Sequence, residues 1–141
     1  MLHCRAFLSD CRAASAVEFA ILAPVFMLML TGMLAYSIYF GAAHSVQQIA
    51  ADAARTSIAG LNARERDALV GAYINNNAAD YLLIERARLT YSIGDKASDP
   101  NQYQVNVEYD ASALPIWNLY PPLPLPSKTI SFSSSIRRGG L

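Results

Sequence analysis

The sequence predicts an α+β protein: a long N-terminal membrane helix that continues as an amphipathic helix, a second short helix, and a small three-stranded antiparallel sheet. Three observations carry this. No Asp, Glu, Lys or Arg occurs from Phe19 to Ala51. The Ala-rich stretch that follows keeps helical spacing as far as Ala59. Beyond Arg88, three segments alternate apolar and polar residues with a period of two.

The apolar centre, Phe19 to Ala43, is longer than the roughly 20 residues that about 30 Å of hydrocarbon requires. Pro24 lies inside it, where it removes one backbone hydrogen bond, as membrane helices tolerate. Tyr36, Tyr39 and Phe40 gather at the far end, as an interfacial aromatic belt does. The competing reading is a secretory signal peptide cut near Gly41-Ala42-Ala43. Such a peptide has an apolar region of about 7–15 residues, shorter than this one. Arginines lie on both sides of the run, at Arg5 and Arg12 and at Arg55, Arg64 and Arg66, so basic-residue counting does not orient it.

Past the span, Val46, Ile49, Ala50, Ala53 and Ser57 fall on one helical face, with Gln47, Asp52 and Arg55 off it. A helix from about Ser15 to Ala59 would be roughly 65–70 Å long, with Gly60 as its terminator. Asn62 and Glu65 read as the N-cap and capping partner of a second helix carrying Leu69, Ala72 and Tyr73. That helix fades through Asn75-Asn76-Asn77. In the strands, Leu89, Tyr91 and Ile93 share a face, as do Tyr103, Val105, Val107 and Tyr109, and Ile130, Phe132 and Ile136. One wet face implies an antiparallel sheet. The first two strands form a hairpin across Gly94 to Asn101. The link from Ala111 to Ser127 contains PIWNLYPPLPLP and reads as a semi-rigid connector whose Trp117, Leu119 and Tyr120 cover the domain's edge, in preference to a ligand for a proline-recognising groove.

Composition excludes more than it assigns. Formal net charge is zero, so nothing points to nucleic acid. Cys4 and Cys11, with His3 nearby, do not make a tetrahedral metal site, and no cofactor is expected. His44 sits at the membrane edge without a nucleophile or orienting group at recognisable spacing. No hydrolase, zinc-protease or phosphate-loop motif occurs. The chain is not expected to be an enzyme or to take a small-molecule substrate.

Glu18 stands directly against the apolar run. Ser15-Ala16-Val17-Glu18 fits a capping box, with the glutamate reaching back to a free N–H. Alternatively the carboxylate waits at the lipid boundary for a positive partner. The spacing alone does not choose.

The run Ala14-Ser15-Ala16-Val17-Glu18-Phe19-Ala20-Ile21-Leu22-Ala23-Pro24 resembles the signature of TadE-like minor pilins (pseudopilins) of the tight-adherence (Tad/Flp) pilus system. The stretch AADAARTSIAG and, loosely, the terminal ISFSSSIRR are similar as well. The resemblance implies a bacterial inner-membrane, single-pass subunit of a type IVb pilus. It would have a cytoplasmic leader (1–13), a membrane helix (14–43) and a periplasmic domain (44–141) containing the 111–127 connector. It implies processing by a prepilin peptidase between Ala13 and Ala14, where the family usually has glycine and this chain has Ala13. Glu18 becomes the fifth mature residue and the subunit-pairing carboxylate, and Phe19 and Pro24 are helix-signature positions. The implied partners are other pseudopilins, the major Flp pilin and the pilus assembly platform. The alternative is an uncleaved, membrane-tethered accessory or binding subunit of another envelope secretion or adhesion complex. TadE-type and TadF-type roles both stay open.

Overall fold

The computed structural model describes residues 11–96, 98–119 and 124–137. Helix α1 runs from Cys11 to Thr56 without a break, through Pro24, and a 3₁₀ turn continues it over Ser57–Ala59. At 1.5 Å per residue its 46 residues span about 69 Å. Gly60 ends the run with an extended backbone, φ −81° and ψ 129°, and not in the left-handed conformation of a common helix terminator. Close approach is what requires glycine there. A Cβ would lie 2.6 Å from Arg66 Cγ and 2.8 Å from the Arg66 amide nitrogen.

The chain then reverses into α2, Ala63–Asn77. The Asn62 side chain accepts from the Glu65 N–H at 3.0 Å, and Glu65 Oε2 accepts from the Leu61 N–H at 2.9 Å. Two otherwise unpaired donors are thereby satisfied. The buried face of α2 is Val70, Gly71 and Ile74. Of the expected apolar residues, Leu69 and Tyr73 are half-buried on its shoulder and Ala72 faces solvent. The sheet sets that rotation. Gly71 meets the Tyr91 ring, whose hydroxyl would stand 2.9 Å from a Cβ, and Asp67 accepts from Tyr103 Oη at 2.8 Å.

The sheet is a meander in the order β1-β2-β3, both pairs antiparallel, with β1 at Leu89–Lys96, β2 at Asp99–Asp110 and β3 at Thr129–Arg137. Leu89 pairs with Tyr109 and Ile93 with Val105, while Val107 pairs with Phe132 and Tyr109 with Ile130. These faces agree with the alternation. The hairpin is tighter than expected, because Gly94–Lys96 and Asp99–Asn101 belong to the strands. The irregular pairing of Lys96 with Asp99 absorbs the turn.

The sheet lays its apolar face on the second half of α1. Val46, Ile49, Ala50, Ala53 and Ala54 are buried against Tyr103, Val105, Val107, Tyr109 and Ile130, with Val70 and Ile74 closing the side. The buried stripe on α1 starts lower still, at Ala35 and Ala42. The connector opens with a 3₁₀ turn at Ala111–Ala113 and tucks Leu114 and Ile116 into the core. Trp117 Nε1 donates to the Ala111 carbonyl at 2.6 Å and Lys128 lies over its ring, so Trp117 closes the connector on itself. Leu119 packs at the core edge, and Tyr120 lies outside the described residues.

Candidate functional site

Below Ala35, among the described residues, no side chain of α1 is buried. Phe19 is 71 % exposed, and Ile21, Leu22, Val25, Phe26, Met27, Met29, Leu30, Met33 and Leu34 are exposed too. Among the described residues this is the one helix long and apolar enough to cross a membrane, and its most apolar stretch is not buried by the protein. A core helix is covered by its own fold; this one is not. A cut near Gly41-Ala42-Ala43 would remove buried Ala35 and divide a helix that is continuous on both sides.

Two hydroxyls on either side of Ala35 are turned back onto their own helix. Thr31 Oγ1 donates to the carbonyls of Met27 and Leu28 at 3.0 and 3.1 Å, and Ser37 Oγ donates to Met33 at 2.7 Å. In hydrocarbon no water takes that role, so the backbone must.

Glu18 lies about two turns inside a helix that begins at Cys11, so Ser15 is not an N-cap and the capping-box reading does not describe this structure. The cause is that Arg12, Ala13 and Ala14, all good helix formers, carry α1 ahead of Ser15. Glu18 is exposed, and no hydrogen bond or ion pair ties its carboxylate to another described residue. Leu22, Val25 and Met29 follow it at helical spacing on one flank. Beside them, Phe19, Leu22, Phe26 and Met29 border an open apolar hollow of about 600 Å³. Ala14 and Pro24 are exposed on the same helix, and Ala13 lies at its start with its side chain outside the description. The sequence-named residues therefore share one uncovered helix segment. Cys4 and His3 fall outside the described residues.

The titratable groups of the domain join its elements. Asp52 accepts from Tyr81 Oη at 2.8 Å and from Arg55 at 2.8 Å, and Tyr81 Oη lies 2.6 Å from Tyr73 Oη. This ties α1 to α2 and to the turn after it. Burial raises the Tyr81 hydroxyl far above its ordinary range, and its bonds to Tyr73 and Asp52 add to this. Burial likewise raises Tyr103, with Asp67 adding to the shift, and burial raises Tyr109. The His44 ring meets the Gln48 side chain at 3.1 Å on an exposed face. Among the described residues no three His, Cys, Asp or Glu side chains group as metal ligands. The Asp52–Tyr81 and Asp67–Tyr103 bonds escaped sequence reasoning, because a hydrogen bond between residues 29 or 36 positions apart leaves no periodic trace.

Residues 13–55 match the family model described as TadE-like protein, and the matched stretch is α1 almost from end to end. No curated protein and no solved structure matches the chain.

Proposed function

We propose, with the TadE-like character of α1 as premise, that this chain is a minor pilin that takes part in assembling tight-adherence (type IVb, Flp) pili. It acts through protein contacts and not through catalysis. The observation that carries the reading is the coincidence of the family match with a helix covered by a domain on one half and by nothing on the other.

The physical argument is one of exchangeable surroundings. Lipid tails are as apolar as leucine, so a bare apolar helix loses little when neighbouring helices replace lipid. Transfer from the inner membrane into an assembly is then set by packing and by the few polar groups present. With the leader removed by a prepilin peptidase between Ala13 and Ala14, the Ala14 amine of one subunit would meet Glu18 of another pseudopilin or of the major Flp pilin on the assembly platform. At about 4 Å, an effective dielectric near 20 gives roughly 4 kcal/mol of attraction before desolvation, enough to fix register. The domain is periplasmic and the leader cytoplasmic in this reading.

Ala13, in place of the usual glycine, favours a second reading: an uncleaved, membrane-tethered accessory subunit of another envelope complex. One strain separates the two. Glu18→Gln should be expressed and inserted but fail to support normal piliation, and the native chain should begin at Ala14 by mass spectrometry. Normal piliation with glutamine at 18 would remove the pairing role, and a native chain starting at Met1 would favour the tethered reading.

A further inference from the structure

Two stretches far apart in sequence meet α1 at nearly the same height. The Leu83 side chain packs over Gly41, with Cδ1 3.4 Å from where a Cβ would stand. The Pro124 carbonyl accepts from Tyr36 Oη. Tyr36 and Gly41 are about 7–8 Å apart along the helix axis.

Both stretches present apolar groups outward. Leu82 is 70 % exposed, Pro124 and Pro126 are exposed, and Leu125 is half-buried. Leu82 and Leu83 share a hollow of about 450 Å³ with Leu114 and Pro115. Leu83 takes a left-handed backbone, φ 64°, which leucine seldom adopts. Its carbonyl accepts from Tyr109 Oη at 3.1 Å, and the Glu85 N–H donates to the same hydroxyl at 3.4 Å. The domain thus holds this turn from inside while Leu82 stays outside.

The height of these stretches relative to the bilayer follows from Glu18. If hydrocarbon begins just after that carboxylate, about 30 Å of it ends about 20 residues later, near Tyr39. Pro124 then lies at or below the domain-side boundary and Leu83 at it. Confining hydrocarbon to Ala14–Leu34 would lift Leu83 about 10 Å above it and leave Pro124 about 3 Å above it. That placement drags Glu18 about 6 Å inward, where an unpaired carboxylate is costly.

We propose that the base of the domain, formed by the 81–84 turn and the 124–126 stretch, lies in the headgroup–acyl boundary of the bilayer that α1 crosses. The surface is continuous with the spanning helix, and its occupant is phospholipid. The proposal rests on α1 spanning a membrane and not on the pilus reading.

The test uses the full chain in vesicles of phosphatidylethanolamine and phosphatidylglycerol. Cys4 and Cys11 are changed to serine, and either Leu82→Cys or Leu61→Cys carries an environment-sensitive fluorophore. Leu61 is the matched control. It is 89 % exposed but lies beside Gly60, at the other end of the domain. Spin-labelled lipid with its label near the headgroup should quench position 82 roughly threefold more than position 61, as for groups seated at that depth. Iodide in the buffer should show the reverse order. Equal lipid quenching at the two positions, or stronger iodide quenching at 82, would overturn the proposal. Both sites are exposed, so neither label disturbs the core, and piliation plays no part in the readout.

Discussion

The two halves of α1 make opposite uses of one backbone conformation. From Ala14 to Leu34 the helix carries Phe, Leu, Ile and Met and buries none of them. From Ala35 onward its inward stripe is Ala35, Ala42, Val46, Ile49, Ala50, Ala53 and Ala54, buried almost completely. Five of those seven inward positions are alanine, with Val46 and Ile49 the larger members, whereas leucine and methionine occur in α1 only before Ala35. Hydrophobicity alone therefore does not tell which part of an apolar helix belongs to its own fold. Size adds to it, because a stripe made mostly of alanine lets β2 and β3 approach the helix closely while leucine and methionine offer area to lipid or to another helix.

The largest predicted effect falls on the covered half. Val107 is fully buried on β2. Val107→Asp should cost several kcal/mol, since a carboxylate placed there has no partner, and a small domain has only about 5–15 kcal/mol in all. Limited proteolysis should then cut the domain at concentrations that leave the parent intact. Resistance equal to the parent's would mean that Val107 does not face the helix.

A paired experiment sharpens the contrast between halves. Ala53→Leu overfills a completely buried position in the core and should destabilise the domain by about 1–3 kcal/mol. Leu28→Ala, on the uncovered half, should stay within about 0.5 kcal/mol. Thermal unfolding in detergent reads both. Equal losses would show that lipid-facing bulk stabilises the fold directly.

The smallest effect is a pH dependence confined to the covered half. Tyr81, Tyr103 and Tyr109 hold their protons more tightly in the fold than an ordinary tyrosine does. The unfolded chain therefore loses these protons first. The contribution is complete below about pH 10 and declines as pH rises past it. Melting temperature should fall between pH 10 and pH 12, and Tyr81→Phe should reduce that fall. A melting temperature unchanged over this range would mean the three hydroxyls are not held as the structure has them.

What the sequence made legible follows from periodicity. Tyr103, Val105, Val107 and Tyr109 are the core face of β2, and Val46, Ile49, Ala50 and Ala53 on α1 and Ser57 in the turn after it are buried, each on the side its spacing indicates. Asn62 and Glu65 mark the start of α2 because capping is a local interaction. Less was legible where a neighbour decides. The rotation of α2 answers to Tyr91 and Tyr103, and the start of α1 ahead of Ser15 contradicted a plausible local cap. The turn at Leu83 rests on a tyrosine 26 positions away. Within the candidate site, the pattern put Glu18, Phe19 and Pro24 on one helix but did not show that the domain's footprint begins as low as Ala35.

The unbroken passage of α1 from its bare half into its covered half has a mechanical consequence. The one backbone bond missing from α1 is at Pro24, in the bare half; from there to Thr56 no proline interrupts the helix, so the domain has no joint at its base on which to swivel and must follow the lean of that part of its anchor. The helix beyond Tyr39 is a rigid arm of about 30 Å, so a lean of about 20°, ordinary for membrane helices, carries its tip sideways by about 10 Å. A thinner or thicker bilayer thus becomes a different bearing of the domain at its far end, a lever built from nothing but uninterrupted helix.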